Sequence, residues 1–282
     1  MRRKSYWVVL CMMVCMRAVW AQTAKDAITA LQTSIGSRQL ILRNFNGEDK
    51  VLATWTGTQL DLAPAHWHTM GVLQLKSINL TGRQLTLKCI RQVLVKDNKD
   101  QLALYPEPTD VQIEIDLGNT EPVTVLPKIK DDLFFASIQD AVNAIPGEWK
   151  NTTPARMDKS SLPPKVALKT SSPLCDCAEE KNPACKTDKM LRQGITPPKA
   201  LKVNDPRFPD AARQGLVDTH VLVGLKVDES GHPDDVWVLR PGGRGFDEAA
   251  AQSVLAYVFR PAMCHDSPIS VVLNVDVRFQ RY

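Results

Sequence analysis

Alternation of apolar and polar positions is clearest in the last third of the chain. Val221, Val223, Leu225 and Val227 alternate with Leu222, Gly224 and Lys226, the period-two pattern of a strand with one buried face. Ser230-Gly231 marks a turn, because glycine tolerates positive φ, and Pro233 pins the start of the next run. In that run Val236, Val238 and Arg240 share a face opposite Trp237 and Leu239, until Pro241-Gly242-Gly243 stops the strand. From Phe246 to Tyr257 the apolar positions Phe246, Ala249, Ala250, Val254 and Tyr257 take helical spacing. Asp247 and Glu248 fall in its first turn, where the helix dipole favours anions. Pro261 ends a short extended piece, and Val271, Leu273, Val275, Val277 and Phe279 alternate as a closing strand. The pattern predicts an α+β unit, with helix packed on one face of a small antiparallel sheet.

Residues 24–147 predict a second unit, mainly β with flanking helices. Ala27, Ala30, Leu31 and Ile35 line one face of a short helix. Extended runs follow at Gln39–Phe45, Lys50–Trp55, Gly71–Leu80, Gln84–Val95 and Val111–Leu117. Leu85, Leu87 and Cys89 face one way, and Val111, Ile113 and Ile115 line one face of their strand. Asn46-Gly47, Thr81-Gly82 and Asp97-Asn98 separate the runs as turns. Asp131 to Ile145 predicts one helix, with Asp131 or Asp132 near its N-cap and Pro146-Gly147 at its end.

Composition then separates the two units. Residues 148–199 are rich in Pro, Lys, Ser and Thr, as in Ser161-Leu162-Pro163-Pro164-Lys165 and Thr196-Pro197-Pro198-Lys199. Such sequence predicts an extended, solvated linker, and ~50 residues at about 3.1 Å each reach on the order of 150 Å. At the other end, Met1-Arg2-Arg3-Lys4 precedes an apolar run from Tyr6 to Met16, and Arg17-Ala18-Val19-Trp20-Ala21 offers a cleavage site. The run is shorter than the ~20 apolar residues that span a bilayer. Residues 1–21 therefore predict an export signal, with a short membrane anchor as the alternative. Arg2, Arg3, Lys4 and Arg17 account for the whole formal charge of +4. The remaining chain is balanced, which argues against nucleic acid or an acidic membrane surface as its partner.

The C-terminal third resembles the C-terminal domain of the TonB family, the periplasmic end of energy transducers that touch outer-membrane receptors. Phe208-Pro209 followed by Ala211, Ala212 and Gly215 resembles the opening of that domain, and Gly231 its first hairpin. Asp247, Ala249 and Ala250 resemble its helix, and Phe259, Pro261 and Ala262 the motif after it. The resemblance covers about residues 197–282, with the domain itself expected at 200–282, and implies a domain that pairs an edge strand with an extended receptor peptide. The candidate edge is the last strand: Ser270, Val271, Val272, Leu273, Asn274, Val275, Asp276, Val277, Arg278 and Phe279. Arg278, Gln280 and Arg281 stand near its end, either to read polar or acidic groups of the peptide or as solvated charges. The resemblance also implies a proton-driven inner-membrane motor complex as a partner, and leaves room for a homodimer.

Candidate chemistry elsewhere is sparse. Without the first 21 residues the chain keeps Cys89, Cys175, Cys177, Cys185 and Cys264. An oxidising compartment makes a disulfide within Cys175, Cys177 and Cys185 the leading expectation, ahead of free thiols or a metal site. Cys264-His265 sits where a surface turn before the last strand is expected. His66-Trp67-His68 offers either two imidazoles for a metal or a loop, and Gly242-Gly243-Arg244-Gly245 lacks the P-loop pattern and suits a strand-to-helix turn. No catalytic constellation or cofactor motif emerges, so the expectation is a binding protein rather than an enzyme. Three readings compete: an energy transducer, an exported adaptor that binds proteins without transmitting force, and a redox or metal-handling protein.

Overall fold

A computed structural model describes residues 23–96, 102–150, 195–212, 219–264 and 266–280. The leader, most of the linker with Cys175, Cys177 and Cys185, and the motif residue Gly215 lie outside the described residues. So does His265. Among the described residues no helix is long and apolar enough to cross a membrane.

The first unit opens with helix α1 (23–35). Its strands are β1 (Lys50–Trp55), β2 (Leu60–Leu62), β3 (Trp67–Thr69), β4 (Val72–Thr81), β5 (Gln84–Lys96) and β6 (Leu102–Asp116). Helices α2 (Pro122–Leu133), α3 (Ile138–Ala144) and α4 (Gly147–Lys150) follow. Five of the strands form one sheet in the order β2-β1-β6-β5-β4, antiparallel except where β1 lies parallel to β6. The alternation read in β5 and β6 holds. Leu85, Leu87, Cys89, Val111, Ile113 and Ile115 are fully buried against Leu31 and Ile35 of α1 and Val125, Leu126 and Ile129 of α2.

The single helix expected over 131–145 is two helices. Asp131 and Asp132 end α2, and the second N-cap is Ser137, whose side chain accepts from the Asp140 amide. Between them the backbone is pulled out straight. Phe134 bridges Leu42, and the Phe135 amide donates to the Ile41 carbonyl. α2 escaped notice because Pro122 and Pro127 lie in it. Pro122 occupies the start of the helix, where a missing N–H costs nothing.

The second unit holds β7 (Ile195–Thr196), β8 (Lys199–Lys202), a 3-10 turn (Asp210–Ala212), β9 (Thr219–Val227) and β10 (Pro233–Arg240). Helix α5 (Phe246–Leu255) and β11 (Val258–Arg260), β12 (Ala262–Cys264), β13 (Ser267–Ile269) and β14 (Val271–Phe279) complete it. Both ends of the stretch expected to be linker are thus folded. Trp149 at its start is only 1% exposed, and β7 and β8 at its end pair with β12 and β11.

The main C-terminal sheet runs β14-β9-β10-β3. Its last member comes from the first unit, since Trp67, His68 and Thr69 pair parallel to Val236, Trp237 and Val238. The expectation of one buried face for β9 is corrected accordingly, and β10 is likewise covered on both sides. Val221, Val223, Leu225, Val236 and Val238 pack under α5, while Leu222, Trp237 and Leu239 pack on the opposite side. There they meet Ile41, Phe45, Ala141, Ile145 and Trp149. Burying both faces of a two-stranded stretch with a shared apolar layer is what joins the units.

Candidate peptide-binding edge and the buried junction behind it

β14 is the outermost strand of the C-terminal sheet and pairs antiparallel to β9 through nine registered positions, Val271–Phe279 with Val227–Thr219. On its other side no strand is paired among the described residues. Val271, Val277 and Phe279 anchor it in the core, and Val272, Leu273, Asn274 and Val275 are half-buried. A strand held at both ends by buried side chains keeps its outer row of N–H and C=O groups in register, which is the template that strand addition requires. Ser270, expected to open this edge, instead precedes the strand. It is 7% exposed and unpaired in the ladder. Arg278 is exposed and pairs with Asp276 at 3.7 Å, and His220 and Arg240 also face that carboxylate, at 3.4 and 3.5 Å. Arg278 is therefore gathered with His220 and Arg240 around an acid of its own strand, and Arg281 lies outside the described residues.

The expected motif residues form the core beneath. Phe208 stands edge-on to Phe246 at 5.3 Å, and Phe246 contacts Phe279 at 4.7 Å, so the opening aromatic, the helix and the last strand meet. Pro209 precedes the 3-10 turn, Ala211 lies within it, and Ala212 enters the core. Ala250 and Ala262 are fully buried, and Ala249 and Phe259 pack beside them. Gly231 (φ 87°) ends the β9–β10 turn directly against the Phe259 carbonyl, where a Cβ has no room. Its own carbonyl accepts from the Phe259 amide at 2.8 Å, and Pro261 lies beside it.

Residues 204–280 match the family model described as Gram-negative bacterial TonB protein C-terminal. The C-terminal unit is a TonB C-terminal domain. No curated protein matches the chain. The match lies within the C-terminal unit, so β3 and the shared apolar layer add elements from outside the matched segment to this TonB domain.

Several residues outside the expected list shape this junction. Trp67, between two histidines considered for metal, inserts into the TonB-domain core. The histidines take different partners: His66 pairs with Glu48, and His68 stacks on Trp237 at 4.9 Å and contacts Asp235 at 3.3 Å. Burial raises the Asp235 carboxyl, but hydrogen bonds from His68, Trp237 and Trp149 outweigh it and hold the group below the usual range. Cys264 is not in a surface turn. It lies in β12, 5% exposed and disulfide-bonded, whereas Cys89 is a free, buried thiol pushed up to about 12 by burial.

The Gly242–Gly245 segment is the strand-to-helix turn expected, and it also faces the first unit. Gly243, Arg244 and Gly245 all have positive φ. Val93, Val95 and Tyr105 crowd Gly243, and Pro108 crowds Gly245. The Gly245 amide donates to Glu107 Oε2 at 2.6 Å, and the Gly242 amide donates to Asp247 Oδ1 at 2.6 Å. Its place in the first helical turn predicts Asp247 as a dipole-favoured acid, yet it is 2% exposed. Nothing in the local pattern signals its pairing with a residue 140 positions away.

Proposed function

We propose that this chain is a TonB-like periplasmic protein of the energy-transducer type. Its C-terminal domain takes an extended segment of an outer-membrane receptor as an added strand on β14 and so supports transport across that membrane. The observation that carries this reading is the edge itself, a nine-residue strand paired on one side only among the described residues, in a sheet whose opposite edge is β3. Main-chain hydrogen bonds supply affinity in this mode, and the half-buried side chains of Val272, Asn274 and Val275 supply selectivity. The work is binding, with force from an inner-membrane motor, and no catalytic step is required.

The test is a titration of isotopically labelled full chain with an extended receptor-derived peptide, followed by amide chemical shifts. Shifts concentrated on Val271–Phe279 support the reading, as does loss of binding when alternate peptide nitrogens are methylated. Binding that ignores backbone methylation, or shifts confined to the first unit, overturns it. An exported adaptor would use the same edge without force, and the mature N-terminus separates the two. Residues 1–21 stay attached in membranes for a transducer and are absent from an adaptor.

A further inference from the structure

Where the two units meet, the polar groups are few and deeply placed. The face of β5 and β6 that is wholly apolar under α1 and α2 continues as Arg91, Val93, Tyr105 and Glu107 where it reaches the TonB domain. Arg91 is 3% exposed and spends its guanidinium on the carbonyls of Gly47, Asn46 and Glu48. Its ring-plane neighbour is Trp67 at 5.6 Å, and Asp49 lies 3.8 Å away. The Glu107 and Asp247 side chains line the same cavity, close enough for a side-chain contact. Two carboxylates are both acceptors, so that contact exists only while one of them carries a proton. Glu107 Oε2 is already taken by the Gly245 amide, and no donor reaches the buried Oε1. These groups, with Thr69 and Glu248, enclose a cavity of ≈ 10 Å³, about the volume one water centre needs.

We propose that Glu107 and Asp247 form a shared-proton latch that fastens the first unit to the TonB domain, and that losing the proton loosens the junction at which β3 pairs with β10. The groups facing the pair are Arg91 from β5, Asp49 from the loop before β1 and Glu248 beside Asp247 on α5. One guanidinium occupied by three carbonyls does not neutralise four nearby acids. Burial first, then the adjacent Asp247 charge, push Glu107 up to about 8, so the pair holds one proton at neutral pH. Burial likewise raises Asp247, to about 6, against the pull of the Gly242 amide. A carboxyl raised in the docked state favours docking fully below its ordinary range, and that contribution is lost as pH rises through about 8. The device is independent of what binds β14, so it stands or falls separately from the proposed function.

The full chain decides it by two measurements between pH 6 and 9. Infrared spectroscopy reads protonated side-chain carboxyl, and hydrogen exchange, corrected for intrinsic rate, reads the amides of Trp67–Thr69 and Val236–Val238. The expected result is a carboxyl band at pH 7 that disappears near pH 8, together with a roughly tenfold or greater loss of protection at the β3–β10 pairing. In Glu107→Gln, whose amide still donates to Asp247 without titrating, the band and the pH-dependent loss both vanish. Asp247→Asn serves the same purpose if the first variant does not fold, and the unaltered chain alone is already decisive. A pair fully ionised at pH 7, a proton lost with protection unchanged, or a Gln variant that keeps the original pH dependence overturns the latch.

Discussion

Trp149→Ala measures the strength of the apolar layer that joins the units. The indole is 1% exposed, stacks on Trp237 with centroids 5.9 Å apart, and lies on the bare backbone of Gly224. Removing a buried side chain that covers roughly 200 Å² forfeits about 5 kcal/mol at ~25 cal/mol per Å². Measured large-to-small truncations of aromatics cost about 3–5 kcal/mol, and the expected loss lies there. Gly224→Ala attacks the same contact from the other side. Its Cβ would meet the Trp149 ring closer than carbon atoms approach, and Leu239 Cδ1 at 2.9 Å, for an overpacking cost of about 1–3 kcal/mol. In the double variant the ring is gone, so the glycine substitution becomes nearly neutral and the pair couples by about 1–3 kcal/mol. The assay is urea unfolding of all four chains by far-UV circular dichroism and tryptophan fluorescence. A Trp149→Ala cost below ~1 kcal/mol, or an equal Gly224→Ala cost in both backgrounds, refutes a packed junction.

Other substitutions probe separate features. Arg91→Ala leaves the Gly47, Asn46 and Glu48 carbonyls and nearby acids without their cation, and thermal unfolding should register a loss of about 3–5 kcal/mol. Arg91→Lys should recover little of it, since one ammonium does not reproduce the planar fork. Gly231→Ala forces a left-handed residue against the Phe259 carbonyl and should cost about 1–3 kcal/mol in chemical denaturation, more than an alanine at exposed Gly82. Ser137→Ala removes the α3 cap and should cost about 1 kcal/mol by the same measurement, with Ser137→Asp near neutral.

The TonB domain was legible because its signals are local and repeated. Val221 to Val227 and Val271 to Phe279 show their period in five or more residues, and Phe208, Phe246 and Phe279 sit at characteristic places along that frame. The junction was not legible, for reasons that differ residue by residue. Trp67 occupies a three-residue strand, too short to display a period, and its flanking histidines suggest other chemistry. Trp149 follows a Pro-Gly stop and precedes a stretch whose composition suits a linker. Leu222, Trp237 and Leu239 break the polar half of an alternating pattern, and that excess of apolar residues was the available hint that both faces are covered. Glu107 lies between two prolines ahead of the run expected at Val111–Leu117, in a part of β6 no period marked, and only the tertiary fold brings it to Asp247.

The strand order also fixes how the molecule would carry a load. Tension applied along β14 runs parallel to its ladder with β9, so nine registered positions resist together in shear rather than opening one after another. From β9 the load passes to β10 through five registered positions, and from β10 to β3 through only three. Under tension the TonB domain would therefore hold its own strands and part from its neighbour first, with Trp67 and Trp149 as the buried plugs that must be withdrawn. The weakest seam of the sheet is the one between the units, which makes it a mechanical fuse placed upstream of the proposed binding edge.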